Sequence, residues 1–268
     1  MEQVGVMIDS IIRHAFLILV LVVCGSCAKD RGDNSLTIGE YRELGMPDPN
    51  KEWTMADYSQ AHNVLAKLKW ERQLQLPVKD SDKSGILFTR MISRDYLSFL
   101  RDTTISRNEK ARRISEFSVV YDYWMDIYNV PTVDKGYYDR EIMDVRIFNL
   151  NLSEAAFKLA NEINQSHDPL DVALQYGYPS IKRAYLECLN NYLQPRSYVH
   201  ARDYWQKFSD GDMERMIDSV RRSFMRNRAW LIDNDIQELR HSVNSVVDST
   251  SSERIRERYK TLAKDLSS

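Results

Sequence analysis

Apolar side chains recur every three or four positions through most of this chain, and that spacing predicts helices. Asn108–Tyr128 carries the stripe Ile114, Phe117, Tyr121, Trp124 and Tyr128. Tyr138–Ile163 repeats the device with Tyr138, Ile142, Val145, Leu152, Ala156, Leu159 and Ile163, and Asn149 occupies the step where an apolar residue is missing. Shorter helices are predicted from Thr54 to about Arg72, from Ser93 through Tyr96, Leu97 and Leu100, and over Ser180–Leu193. The longest predicted element runs from about Asp212 to Val247. Met213, Ile217, Val220 and Phe224 keep heptad spacing, as do Ile232, Ile236, Leu239, Val243 and Val246. The two halves are offset around Arg228, like a stutter. As one helix it would be about 54 Å long. A last helix from Ser251, with Ile255, Tyr259, Leu262 and Leu266, is expected to fold back on it. No strand and no internal repeat is predicted. The fold class is all-α, an irregular helical bundle with a long C-terminal helix and an antiparallel helical hairpin.

Punctuation between the stripes agrees. Thr37-Ile-Gly-Glu40 has the form of a capping box, in which a hydroxyl and a carboxylate each accept a first-turn N–H. Gly45 is expected to end that short helix. Thr54 and Asp57 form a second cap, with Trp53 stapling onto Tyr58. Pro77 stops the next helix, and residues 77–86, PVKDSDKSGI, are expected to form a loop. Pro195 closes Ser180–Leu193, so a sub-division near 195–210 is possible within a helical domain over 37–268.

The N-terminus reads differently. Ala15–Val23 is an unbroken apolar run, too short for a bilayer core that needs about 20 apolar residues. It suits a secretory signal with Arg13 as the upstream charge. Starting at Met7 instead of Met1 gives the tidier signal. The run ends in Leu19–Asp30, LVLVVCGSCAKD, and this apolar stretch followed by small residues and a cysteine resembles a bacterial lipoprotein signal. The resemblance covers residues 7–33 only. It implies acylation and cleavage at a cysteine, which becomes the first mature residue. Cys27 is favoured, with Ser26 and Gly25 before it; Cys24 is the alternative, with Leu21 at −3 but the bulky Val23 at −1. Residues 1–26 then form the signal and 27–36 a tether. The polar AKDRGD after Cys27 resembles the corresponding region in lipoproteins of Bacteroidetes-like bacteria. This implies the cell envelope as location and the outer membrane as the anchored surface, periplasmic or external.

Composition narrows the picture further. Of the three cysteines only Cys188 would remain for the folded domain, so that domain must be stable without a disulfide. Cys188 is expected to be a buried small hydrophobe. The chain carries a net charge of −2; Arg13 against Glu2 and Asp9 gives the signal −1, leaving about −1. Nucleic-acid binding needs clustered Lys and Arg, and no such footprint is present. Fifteen tyrosines and five tryptophans are generous for this length.

Several motifs suggest chemistry. Asp80, Asp82, Ser84 and Gly85 match positions 1, 3, 5 and 6 of an EF-hand loop, but Met91 stands where the bidentate Glu belongs. They are weak metal candidates, and a solvated turn ahead of a buried Ile-Leu-Phe is the expectation. Glu238 and His241 have the Glu-x-x-His spacing of di-iron bundles without the required second copy. Asp122 and Asp126 lie one helical turn apart and could pair as an acid and a base. His62, His167 and His200 are scattered. Arg221–Trp230, RRSFMRNRAW, is the one local basic patch, a candidate for anionic headgroups or an acidic partner, or else the solvated face of a helix.

No catalytic residue, resident metal or cofactor is expected. The leading expectation is a lipid-anchored interaction or scaffold module with an envelope-protein partner: a component of an envelope or secretion machine, or an immunity-type protein. The alternative is a lipoprotein that binds a small molecule, glycan or peptide, with Tyr121–Tyr128 and Tyr137–Tyr138 lining a groove.

Overall fold

The structure, a computed structural model, describes residues 32–130, 136–166, 175–193, 196–198 and 205–267. Asn34–Ser268 forms one compact unit. Its helices, numbered here in chain order, are α1 (Ile38–Glu43), α2 (Met55–Glu71), α3 (Gly85–Met91), α4 (Arg107–Tyr128), α5 (Asp139–Asn164), α6 (Tyr178–Tyr192), α7 (Asp210–Asn227), α8 (Asp233–Val247) and α9 (Glu253–Asp265). The architecture is an all-α bundle.

Both N-terminal capping boxes form. The Glu40 carboxylate accepts the Thr37 N–H at 2.8 Å, and Asp57 accepts that of Thr54 at 2.7 Å. Trp53 staples edge-on to Tyr58, with ring centroids 5.3 Å apart. Each device satisfies first-turn donors that a helix cannot satisfy itself.

α5 is the central element, with α4, α6 and α7 packed around it. Its buried residues include Ile142, Met143, Val145, Phe148, Leu150 and Phe157, which lie on more than one face. A helix apolar on several faces belongs in the middle of a fold. Asn149, the polar interruption in its stripe, donates to the Tyr192 hydroxyl at 2.7 Å. That bond removes the cost of a polar group among apolar neighbours. On α4, Ile114, Phe117, Trp124 and Tyr128 are buried as their spacing predicts, while Tyr121 is half-buried.

Three expectations about the elements are corrected. First, Asp212–Val247 is not one long helix. α7 ends at Asn227, a 3-10 turn covers Arg228–Trp230, and α8 starts at Asp233. Leu231 and Ile232 are extended, with ψ of 138° and 162°. The Asn227 side chain donates back to the Ser223 carbonyl at 2.7 Å, while Asp235 accepts the Ile232 N–H at 3.0 Å and pairs with Lys182. Asp233 and Asp235 in its first turn suit the positive end of a new helix. Second, the segment after Ser93 is a 3-10 helix, Arg94–Arg101. Third, Arg196–Tyr198 and Trp205–Lys207 pair as a two-stranded antiparallel ribbon, β1 and β2, inside the region where a sub-division was expected.

The terminal helix does fold back through a short connection to pack on α8, and it also packs on α7. Glu214 pairs with Arg254, Asp218 with Arg258 and Arg221 with Asp265. Partner numbers rise together along both helices, so α7 and α9 run parallel, with α8 as the return stroke.

α3 begins inside the expected 77–86 loop and runs on past it to Met91. Its first residue is Gly85, where an added Cβ would lie 2.7 Å from the Lys79 carbonyl oxygen. The turn over residues 79–84 closes that tightly because the buried Ser84 hydroxyl accepts the Val78 N–H at 2.9 Å.

Candidate functional site

A cleft of about 580 Å³ with converging charges lies between the 3-10 segment Arg94–Arg101, α4 and α5, with Arg226 of α7 at its edge. Glu154 of α5 anchors it. Its carboxylate is nearly buried and takes Arg226 in a two-pronged pair, with Nε at 2.8 Å from Oε1, while Lys158 Nζ approaches Oε1 at 2.7 Å. Burial pushes this carboxyl pKa up, but the bonds from Arg226 and Lys158 outweigh it and hold it at about 2. The carboxylate is therefore charged throughout the physiological range.

The wall adds cations. Lys110 donates to the Leu100 carbonyl at 2.9 Å, and Arg101 is exposed on the lining. Arg101, Lys110, Lys158 and Arg226 stand against Glu154 and Glu162, so the lining carries two more positive than negative charges. Such a surface can hold a carboxylate, a phosphate or an acidic side chain. Nothing in this arrangement pairs a nucleophile with a base.

A second polar centre lies on the same central helix. Arg146 is buried, its guanidinium 4.7 Å from the Tyr192 ring centroid and 5.3 Å from that of Phe208. Among the described residues no carboxylate lies at ion-pair distance from it. Burial lowers its pKa, and the Tyr192 and Tyr121 hydroxyls oppose that. Ring faces attract cations and offset part of the desolvation.

The residues singled out by sequence do not converge here. Asp80 pairs with Arg140 at 2.6 Å, Ser84 is buried, and Asp82 is exposed. Leu87 and Phe88 beyond them are buried as expected, but Ile86 is exposed. Glu238 and His241 face solvent on α8. Among the described residues no three His, Cys, Asp or Glu side chains gather as a metal would require. Asp126 is engaged by Lys69 at 2.9 Å and approached by His62 at 3.7 Å, while Asp122 is exposed. The basic patch is largely spent inside the fold. Arg221 reaches Asp265, Arg226 reaches Glu154, and Arg228 donates to the Asp265 carbonyl.

The aromatic residues proposed for a groove pack on one another. Tyr138 sits edge-on between Tyr128 and Tyr137, Trp124 is fully buried beside Tyr58, and Tyr123 stacks on His62. Cys188 is a buried free thiol, its pKa pushed up to about 11 by burial. Cys24, Cys27, His167 and His200 lie outside the described residues.

Glu154 and Lys158, missed as site residues, carry one sequence signal. They stand four apart on a helix, Glu first, which favours an ion pair. Arg226 lies 72 positions from Glu154, and no local pattern joins them. No protein-family profile matches this chain, and neither a curated protein nor a solved structure resembles it significantly.

Proposed function

We propose that this protein is a lipid-anchored component of the bacterial cell envelope whose helical domain works by contact with another envelope protein. One observation carries the reading: the segment LVLVVCGSCAKD leads, within seven residues of Cys27, into the compact unit that starts at Asn34. A folded domain so close to an acylated cysteine is held at the membrane surface. Acyl chains contribute about 0.8 kcal/mol per buried CH₂, and more than one chain makes the anchorage durable. Among the described residues no helix is long and apolar enough to cross a membrane, so in this reading the lipid is the anchor.

The test is intact mass and N-terminal mapping of the protein extracted by detergent from membranes of its host. A chain starting at an acylated Cys27 supports the anchor, and crosslinking in those membranes then identifies the contact. An unacylated start sinks it.

The cleft at Glu154 favours a second reading, a binding lipoprotein for an anionic small molecule or acidic peptide. Its excess of positive charge is the supporting feature. Thermal stabilisation by a panel of dicarboxylates, phosphates and Glu-rich peptides, lost on Arg101→Ala, tests it.

A further inference from the structure

Trp70 is 76% exposed, and Leu74, beyond the end of α2, is 41% exposed. Both lie on a wide shallow cleft that Asn34 also lines. The aromatic face that most proteins bury is thus displayed beside the first residue of the compact unit. The neighbouring Lys69 ammonium, held by Asp126, lies over one part of the ring at 5.7 Å from its centroid, and the rest of the side chain stays open to solvent. Lys67 and Arg72 are exposed on either side, with Glu71 as the acid between.

We propose that Trp70 and Leu74 rest on the headgroup layer of the membrane that carries the lipid anchor. This rests on the proposed acylation of Cys27. The seven residues from Cys27 to Asn34 span at most about 25 Å when fully extended. A domain of this length has a radius of gyration of about 17 Å, so such a tether keeps the Asn34 end, and not the far end, against the bilayer. Tryptophan suits that depth because its ring is apolar and its N–H remains hydrogen-bonded at the water boundary. Lys67 and Arg72 add attraction to anionic headgroups.

The test uses the acylated protein in phosphatidylethanolamine–phosphatidylglycerol vesicles, with and without a fraction of phosphatidylcholine brominated on its acyl chains. Bromine quenches only tryptophans at membrane depth. The wild-type protein is expected to lose fluorescence in the brominated vesicles, and Trp70→Phe to lose most of that quenching while folding normally. Equal quenching in both proteins overturns the proposal, because another tryptophan then makes the contact. Absence of quenching in an acylated wild-type protein also overturns it, because Trp70 then stays away from the bilayer. Intact mass on the same samples separates these outcomes from failure of the anchor. An unacylated protein removes both readings together.

Discussion

The Lys69 ammonium meets Asp126 twice, at 2.9 Å from its carboxylate and 2.6 Å from its main-chain carbonyl. The lysine is buried and belongs to α2, while Asp126 lies near the end of α4. The contact ties two helices together and takes Asp126 out of any acid–base pair with Asp122. Asp126→Asn should therefore cost about 2 kcal/mol, because it leaves a buried ammonium without its counter-charge. Asp122→Asn, on the exposed face, should change stability by less than about 0.5 kcal/mol. Urea unfolding of the two variants separates them, and equal costs would refute the assignment.

Acid should expose a histidine effect. Burial lowers the His62 pKa below its ordinary 6.5, and Asp126 only partly opposes it. The unfolded chain thus takes up the proton first, so this contribution to stability is complete above pH 6.5 and is lost as pH falls below it. Wild type and His62→Gln should differ in the slope of Tm against pH between about 6.5 and 5, the wild type being steeper. Parallel curves would contradict this.

Glu154 acts lower on the scale. Its carboxyl is held at about 2 against an ordinary 4.5, so its contribution is complete above pH 4.5 and lost as pH drops towards 2. At neutral pH, Glu154→Gln should cost about 2 kcal/mol, less than a fully buried pair, since Arg226 and Lys158 can turn to water. Chemical denaturation at pH 7 and pH 3 should show the variant's deficit shrinking in acid.

Cys188 should ignore thiol reagents in the native protein. A buried thiol with its pKa at about 11 presents almost no thiolate. Labelling of Cys188 by an aromatic disulfide should wait for unfolding, and reaction of this thiol within seconds under native conditions would show that α6 opens locally.

Arg146 offers a sharper test of the core. Arg146→Met keeps the stem between Tyr192 and Phe208 and removes the charge. It should leave stability unchanged or raise it by about 1 kcal/mol, since apolar replacement of a buried charge is often favourable. A thermal melt showing a loss of several degrees would mean that the guanidinium answers a negative charge.

Much of the helical content was legible because burial demands a 3.6-residue period, and Ile114, Phe117, Trp124 and Tyr128 keep it through α4. Even the flaw at Asn149 was visible, although its partner Tyr192 was not. The same period misled at Arg228–Ile232. Neither glycine nor proline marks that break, and apolar spacing continues across it, so only the first-turn acids Asp233 and Asp235 gave notice. The 3-10 geometry of Arg94–Arg101 and the three-residue strands are too short to impose a period. The cleft escaped for another reason. Glu154 and Arg226 meet only because α5 and α7 pack side by side, and pairing over 72 positions has no local signature.

The charges along α7 and α9 also choose a docking position. Slide α9 by one heptad and hydrophobic faces would still match. In one direction Asp265 would then arrive opposite Glu214; in the other, Arg254 would arrive opposite Arg221. Either slip sets like charges together, a penalty that discriminates between partners or registers more strongly than an exposed ion pair stabilises. The ladder thus works as a vernier: it adds little to how tightly the terminal helix is held and much to where it stops.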